Sequence, residues 1–370
     1  MIMEKGLKGV VAAQTSISLV DGIQGKLLYR GLDIGEVTKH YSFEETAYFL
    51  WHGRFPGGPE RAQLKNELNQ NRVLCDSMKE VIDHLPKGMD LMSVIRTAIS
   101  SEGTEKYGWK PTISQAIRLT ALVPSIIAYR TRRMAGKPFL SPREDLDHVE
   151  NYLFMINGTA PLKAHAEALE TYMILTLEHG MNASTFAARV TASTESDLVS
   201  AATSAIGTMK GPLHGGAPSG VIALLDEISQ AGDPEKVIRE KLIRGEKLMG
   251  FGHRVYKTVD PRAMALKERL LNMSGKDQWL DLALETERTA VALLQEFKPG
   301  RSLYTNVEFY AAAIMKAIQM DEQLFTPTFT ASRMVGWTAH VLEQSEDNAI
   351  FRPESVYIGP ERSMADVQHN

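Results

Sequence analysis

Cysteine, long apolar runs and an excess of charge of either sign are the features that this sequence of 370 residues has little of. Cys75 is the single cysteine, which excludes an internal disulfide and leads us to expect a reducing, cytoplasmic setting. No charged and then apolar segment with a small-residue cleavage site stands near the N-terminus, in line with that expectation. No uncharged run approaches the roughly 18 to 20 residues that span a bilayer, so we predict no membrane association.

Charge and composition narrow the class of protein further. A net charge of −4 and a pI near 6.2 provide no basic face that would attract nucleic acid nonspecifically. Hydrophobic residues make up 44% of the chain and charged residues 23%, which is the balance of a globular protein. We therefore expect small molecules, rather than nucleic acid or lipid, as binding partners.

Strand signals are nearly confined to residues 15–31, where alternating residues surround Asp21 and Gly22, a dipeptide that favours tight turns. This segment predicts a small hairpin. Beyond it, apolar residues recur at three- and four-residue spacing, as helices with one buried face require. The clearest helices are predicted at about 197–209, 277–297, 307–320 and 328–345, with further helices starting at Pro218 and Pro261.

Two breaks in composition, at 210–220 and 320–327, indicate a helical unit inserted between the two parts of a larger one. We place the larger domain at 1–215 and 320–370 and the smaller domain at 216–319. The expected fold class is all-α, with two helical domains and a minor N-terminal β-hairpin.

Two glycine-rich stretches are candidates for phosphate loops, and both fail. In GPLHGGAPSG (211–220), Ala217 and Pro218 stand where a Walker loop has Lys and Ser or Thr. In GFGHRV (250–255), Val255 replaces the last glycine of a dinucleotide fingerprint. The ten histidines include no i, i+4 pair with an intervening acid, so we predict no metal site.

What remains is a set of polar residues at predicted helix ends. His179, His214 and His253 lie in three separate breaks between helices, where each could cap a helix, satisfy a core carbonyl or take part in catalysis. Glu308 lies in the first turn of an otherwise apolar helix, where it could be a cap or a carboxylate base. Arg262 and Lys257 near His253 could hold small carboxylates or phosphates.

Five segments together resemble the citrate synthases, particularly the short bacterial and archaeal type. They are EHGMNASTFAARV, GPLHGGAPSG, GFGHRVYKTVDPR, TNVEFY and FTASRMVGWTAHVLEQ, and the similarity runs in the family's order from YRGLDI (29–34) to IFRPES (350–355). The resemblance implies a dimer of two-domain helical subunits, with oxaloacetate in the cleft between the domains. It also implies that the small domain closes and brings in acetyl-CoA as co-substrate, with no tightly bound cofactor.

The resemblance assigns roles position by position. His214 would stabilise the thioester oxygen as the enolate forms, His253 would donate to the oxaloacetate carbonyl, and His179 would help to bind oxaloacetate. The arginines that hold substrate carboxylates would be Arg262, Arg333 and, from the neighbouring subunit, Arg352. The backbone of Gly250, Phe251 and Gly252 would lie along the CoA adenine, and Lys257 would lie near the CoA phosphates.

The base is the main departure, because Glu308 stands where the family usually has Asp. The extra methylene lengthens the side chain by about 1.5 Å, so we expect activity to be reduced or repositioned rather than abolished. The expected function is citrate synthase, an acyltransferase of the tricarboxylic acid cycle. The alternatives are a 2-methylcitrate synthase that uses propionyl-CoA, a ligand-binding homologue without catalysis, and a helical scaffold with no small-molecule site.

Overall fold

The N-terminal hairpin is present in the computed structural model, which describes residues 5–7, 9–215, 218–253, 255–271, 277–301 and 303–361. Strand β1 (Ser18–Asp21) pairs antiparallel with β2 (Lys26–Tyr29), and a third short strand, β3 (Leu32–Asp33), pairs with β2. The predicted hairpin is confirmed, and its two strands are joined by residues 22–25, a connection that begins directly after Asp21. The Asp21 carboxylate accepts from two backbone N–H groups in this connection, which stabilises the loop.

Helices account for nearly all the remaining regular secondary structure of the described residues, which confirms the predicted all-α class. None of the described helices is both long and apolar enough to cross a membrane. Two short 3₁₀ helices lie at Lys5–Leu7 and Glu322–Leu324. The α-helices are α1 (Ile34–His40), α2 (Phe43–His52), α3 (Gly58–Asn71), α4 (Asp76–His84), α5 (Leu91–Ser100), α6 (Ile113–Met134), α7 (His148–Asn157), α8 (Lys163–Thr176), α9 (Ala183–Ser193), α10 (Leu198–Met209), α11 (Pro218–Ala231), α12 (Pro234–Ile243), α13 (Pro261–Leu271), α14 (Gln278–Phe297), α15 (Val307–Ala317) and α16 (Phe325–Glu346).

Predicted helix starts agree with the structure where a capping residue marks them. Asp197 accepts from the Ser200 N–H at the start of α10, and Asp260 accepts from the Arg262 N–H at the start of α13. The predicted end of α15 at about 320 is too late, because the helix stops at Ala317 and Gln319 has a positive φ. A difference of this size at a helix end is expected when sequence pattern alone is used.

Helix α16 is the centre of the fold, because it packs against α2, α5, α6, α8, α9 and α10. Its side chains are buried around the whole circumference, including the indole of Trp337 and the guanidinium of Arg333. A helix that is buried all round is typical of the interior of a large helical protein. Polar side chains of α16 can therefore contact a substrate only at places where the surrounding helices end.

Gly336 is required by the approach of α16 to the segment after α8. A Cβ at this position would lie 2.2 Å from the Leu177 carbonyl oxygen and 2.7 Å from Oε2 of Glu178. Alanine gains at most about 1 kcal/mol over glycine within a helix, whereas forcing an extra carbon into a packed core costs about 1–3 kcal/mol. We therefore expect Gly336→Ala to lower the free energy of unfolding, as measured by thermal or urea denaturation.

Gly207 of α10 provides the matched control, because a Cβ there would meet Arg96 Cδ at an ordinary 3.6 Å. Gly207→Ala should leave stability unchanged or raise it by up to about 1 kcal/mol. Equal stability of the Gly336→Ala and Gly207→Ala proteins would contradict the proposed contact.

The predicted smaller domain, 216–319, corresponds to helices α11–α15. Within this group α12 packs on α14, and α15 packs on both α11 and α14. Helix α13 also packs against α1 and α8, where Lys39 and Glu268 (3.2 Å) and Glu167 and Arg269 (2.9 Å) form ion pairs across the contact. The division into two domains stays a prediction, and the two groups meet along α13 and, through its packing on α8, along α15.

Candidate active site

Most of the predicted site residues come together where helices end. His179 follows α8, His214 follows α10, His253 precedes α13, and Glu308 lies in the first turn of α15. The rings of His179 and His253 are 5.9 Å apart between centroids. The charge of Arg333, in the middle of α16, is close enough to affect the pKa values of His179, His214 and Glu308. Five segments that are distant in sequence therefore form one polar cluster.

His253 presents an N–H group to this cluster. Its Nδ1 atom accepts from the backbone N–H groups of Val255 and Tyr256, both at 3.0 Å. Burial, together with the charge of Arg262, lowers the pKa of His253 to about 4, so the imidazole is neutral at pH 7. A neutral ring that accepts at Nδ1 carries its proton on Nε2. The ring is thus fixed as a donor at Nε2.

Arg262 lies beside that donor. Its Nη2 is 3.3 Å from Nε2 of His253, and because both groups carry protons this contact leaves two donors side by side without an acceptor between them. Asp260 holds the same guanidinium through two bonds, from Nε at 3.0 Å and from Nη2 at 2.9 Å, so one of the two Nη2 protons remains for an anion. An anion with closely spaced oxygens would satisfy such a pair of donors.

Asp260 also links Arg262 to the helix that carries Glu308. Its Oδ2 atom accepts from the Val307 N–H at 3.2 Å, at the first residue of α15. Burial alone would raise the pKa of Asp260, but the contact with Arg262 outweighs it and holds the pKa below its usual value. The pair therefore stays ionised and fixes the start of α15 relative to α13.

His179 contacts the same group of side chains through Tyr256. The Nε2 atom of His179 and the Tyr256 hydroxyl are 3.0 Å apart, and the Tyr256 ring lies 4.8 Å from the ring of His253. Burial and then the charges of Arg262 and Arg333 hold the pKa of His179 well below its usual value. His179 is therefore a neutral, polar group close to the charges of Arg262 and Arg333.

His214 is oriented by a chain of hydroxyl and amide groups. Its Nε2 lies 2.7 Å from Oγ of Ser184, which accepts from the Trp337 indole N–H at 3.0 Å and lies 2.8 Å from Oδ1 of Asn182. Oδ1 of Asn182 can only accept, so the Ser184 hydroxyl donates its one proton to it in this structure, and rotation of the hydroxyl would turn that proton to His214. When the proton goes to Nε2 of His214, Nδ1 carries the ring proton and is the donor available to a substrate. Burial lowers the pKa of His214 to about 4, and Arg333 adds to the decrease.

Glu308 is a carboxyl group near the two arginines. Its backbone N–H donates to the Asn306 side chain at 3.1 Å, so Asn306 and not Glu308 caps α15. Burial raises the pKa of Glu308 to about 7, Arg262 and Arg333 oppose the increase, and Asp260 adds to it. No hydrogen bond reaches the Glu308 carboxyl from the described residues. A carboxyl group with a pKa near neutrality is suited to take up a proton.

The pKa of Glu308 predicts the direction of the pH dependence. A base acts in its deprotonated form, so activity should be low where Glu308 is protonated and should rise with pH through about 7. His214 and His253 stay neutral over this range because their pKa values are near 4. The measurement is kcat/KM between about pH 5.5 and 8.5. A flat profile over this interval would contradict the assignment of Glu308.

The predicted CoA segment lies against the start of α15. Gly250 and Gly252 both have positive φ, and Gly252 N–H donates to the Tyr304 carbonyl at 2.7 Å. The side chain of Phe251 is buried against Phe309, with ring centroids 5.1 Å apart. The backbone of this segment is therefore fixed next to Glu308.

Lys257 lies near the same segment. Its side chain is exposed, and its charge contributes to the low pKa of His253.

The two remaining arginines are placed very differently. Arg333 is 1% exposed, donates from Nε to the Thr176 carbonyl at 2.7 Å, and lies over the ring of Phe329 at 4.8 Å. Arg352 is exposed and lines a groove with the N-terminal segment. None of the three histidines of the cluster lines this groove. The fold thus brings Arg333 to the cluster and does not bring Arg352 to it.

Sequence reasoning missed the residues that support the site. Tyr256 contacts His179, and Ser184 contacts His214. Asn182 and Trp337 act indirectly, because each is bound to Ser184, and Asp260 holds Arg262. Nothing in the sequence around Ser184 indicated its contact with His214, thirty positions later. Among the described residues no group of three or more His, Cys, Asp or Glu side chains is arranged to hold a metal ion.

Comparison with known proteins identifies the family. A sequence model described as citrate synthase, C-terminal domain, matches residues 6–354. Citrate synthase 2 of Bacillus subtilis (strain 168) is 41% identical, with 98% of this chain and 97% of that protein covered. The 2-methylcitrate synthase of Mycobacterium tuberculosis (strain ATCC 25618 / H37Rv) is 38% identical, with 98% and 92% covered.

A solved structure shares the fold over nearly its whole length. Citrate synthase from the thermophilic archaeon Thermoplasma acidophilum, in a ternary complex with carboxymethyl coenzyme A and oxaloacetate, has a TM-score of 0.86 and 29% identity. The alignment covers 98% of this chain and 97% of that one. The chain therefore belongs to the citrate synthase family and is a condensing acyltransferase.

Proposed function

We propose that this enzyme condenses acetyl-CoA with oxaloacetate and water to give citrate and CoA. The observation that carries the proposal is the pair of neighbouring donors, Nε2 of His253 and Nη2 of Arg262, within electrostatic reach of a carboxyl group whose pKa is raised to about 7. Donors for a 2-oxo acid and a base for a weak carbon acid are the two requirements of this condensation. The relative with bound carboxymethyl coenzyme A and oxaloacetate supports the same substrates.

Oxaloacetate would bind first, through its oxygens. Arg333 and Arg262 would pair with its carboxylates, and the N–H of His253 would donate to its ketone oxygen. Asp260 already neutralises much of the charge of Arg262 in this structure, so a second carboxylate calls for a further cation. The exposed Arg352 of a second subunit is our candidate for that cation.

Proton removal from the acyl methyl group comes next. A thioester methyl is a very weak acid, and its proton can leave only if the developing oxyanion meets a donor that is already in place. Glu308 would take the proton while Nδ1–H of His214 donates to the thioester oxygen. Ser184 keeps this nitrogen protonated when its hydroxyl donates to Nε2 of His214.

Carbon–carbon bond formation completes the condensation. The methylene carbon of the enolate attacks the ketone carbon of oxaloacetate, while Nε2–H of His253 stabilises the developing alkoxide. The proton that Glu308 removed balances the new hydroxyl of citryl-CoA, so His253 and Glu308 end in their starting protonation states. Water then cleaves the C–S bond of the citryl-CoA, which releases citrate and the CoA thiol. Closure of the predicted smaller domain would exclude water until the new bond has formed.

Propionyl-CoA is the alternative acyl donor, favoured by the 38% identity to a 2-methylcitrate synthase. An extra methyl group changes binding in an apolar pocket by only about 1–3 kcal/mol, so the charged residues of the site accept either donor. The test is the rate of CoA release with oxaloacetate and either acetyl-CoA or propionyl-CoA. We expect a higher kcat/KM for acetyl-CoA, and a higher value for propionyl-CoA would favour the alternative.

A homodimer is part of the proposal. Leu7, Val10 and the segments 12–16 and 349–353 line a groove of about 1120 Å³. Apolar residues of the same two terminal segments are exposed, among them Val11 (84%) and Ile358 (95%). Apolar groups in extended terminal segments are typical of surfaces that a partner covers. We propose a second copy of this chain as the partner and a cytoplasmic setting, in keeping with the exposed free thiol of Cys75. An active monomer in sedimentation velocity would overturn the dimer.

A further inference from the structure

The turn that carries His179 is held from several sides. The Tyr29 hydroxyl, on β2, accepts from the Glu178 N–H at 3.0 Å, and Ser18 Oγ, on β1, donates to Oε1 of Glu178 at 2.9 Å. The Gly180 N–H donates to the same carboxylate oxygen. The two residues that flank His179 are therefore bound to each other and to the N-terminal sheet. Glu178 takes part in each of these contacts.

The Glu178 carboxylate also faces His340 of α16. Both side chains are fully buried, and Nε2 of His340 lies 3.1 Å from Oε1 of Glu178. On the other side of the ring, Nε of Arg189 donates to Nδ1 of His340 at 3.0 Å. A guanidinium has no acceptor, so Nδ1 is unprotonated and the ring proton of His340 is on Nε2, the nitrogen nearest to the carboxylate.

Arg189 extends this network to the surface. It donates to Gln344 at 2.9 Å and to the Glu343 carboxylate, whose other oxygen accepts from the Ser16 N–H at 2.8 Å. Arg189 itself is 2% exposed. Buried ions destabilise a protein unless their partners are complete, so a network of this length is costly to keep for stability alone.

The network is close to the substrate arginine as well as to His179. Burial alone would raise the pKa of Glu178, but His340 and Arg333 bring it below its usual value. Burial likewise lowers the pKa of Arg333, and Glu178 opposes that decrease. Glu178 is thus a buried anion that balances the charge of Arg333.

We propose that Glu178, held by His340 and Arg189, is a positioning residue for oxaloacetate. It fixes the turn that presents His179 and keeps Arg333 charged and in place before the substrate binds. Its action is through His179 and Arg333, not through contact with the reacting atoms. The inference rests on the proposed function, because it assigns a role in binding to a network outside the reacting groups.

The test compares variants of Glu178 and His340 in the full-length protein. Glu178→Gln has nearly the same volume but no charge, and we expect the KM for oxaloacetate to rise by about 10- to 100-fold, the effect of a small displacement of a binding group. The kcat at saturating oxaloacetate and the KM for acetyl-CoA should change much less. An effect on folding alone would not separate these constants.

His340 provides the matched pair of variants. The amide of His340→Gln can still accept from Arg189 and donate to Glu178, so this variant should keep a KM for oxaloacetate near that of the parent. His340→Leu can do neither and should raise the KM as Glu178→Gln does. If Glu178→Gln fails to fold, this pair tests the proposal without it.

Glu44 of α2 is the control for the loss of a buried carboxylate elsewhere. It accepts from the His148 N–H at 2.6 Å at the start of α7, so Glu44→Gln should lower the melting temperature without changing the KM for oxaloacetate. An unchanged KM in Glu178→Gln and His340→Leu, or an equal rise in Glu44→Gln, would overturn the proposal. A parent protein that releases no CoA would overturn the proposed function instead.

Discussion

Replacement of Glu308 by glutamine should lower kcat by about 10²- to 10⁴-fold, the usual contribution of a general base. The amide has nearly the same volume, so the packing at the start of α15 should persist, but it cannot accept a proton from the acyl methyl. The pKa of Glu308 is raised to about 7 because the carboxyl is buried, and this makes it the group able to take that proton at neutral pH. The measurement is kcat at saturating oxaloacetate and acetyl-CoA.

Two further variants sharpen this result. Glu308→Asp keeps a carboxylate but withdraws it by about 1.5 Å, so its kcat should exceed that of Glu308→Gln. Glu285→Gln removes an exposed carboxylate on α14 and should leave kcat unchanged. A Glu308→Gln protein that turned over as fast as the parent would show that another group is the base.

Replacement of His214 by alanine should lower kcat by about 10²- to 10³-fold, the effect of removing one donor to a developing oxyanion. His214 is held by Ser184, which is itself bound by Trp337 and lies against Asn182. A donor that is held in advance costs no reorganisation when the negative charge forms, which is why its loss should appear in kcat. The KM for oxaloacetate should change less, because the substrate arginines remain.

The control for this variant is His84→Ala. His84 is exposed at the end of α4 and contacts the Glu80 carbonyl of its own helix at 2.7 Å. Its replacement should affect neither kcat nor KM. If His214→Ala retained the kcat of the parent, the thioester oxygen would have another donor.

The helical class and most helix starts follow from local features of the sequence. Asp197, Asp260 and Asp277 each satisfy free N–H groups at a helix start, and such caps act within a few residues. The connection after Asp21 was not predictable in the same way. Gly22 there packs against the Val255 backbone, and its carbonyl accepts from the Lys257 N–H, so a distant segment determines the loop.

The site was only partly visible in the sequence. Histidines in breaks between helices indicated where reactive groups lie, and the family resemblance supplied their roles. The protonation state of His253 could not be read from the chain, because it depends on two backbone N–H groups and on burial. The link between Glu178 and His340 spans more than 160 positions and depends on the packing of α16 against the end of α8.

The most direct test of the account is the identity of the product that the unmodified protein forms from acetyl-CoA and oxaloacetate. Mass spectrometry should detect citrate, formed in equal amount with free CoA and only when oxaloacetate is present. Release of CoA and acetate without oxaloacetate would show a thioesterase, and no release under either condition would show that the site does not carry out the condensation.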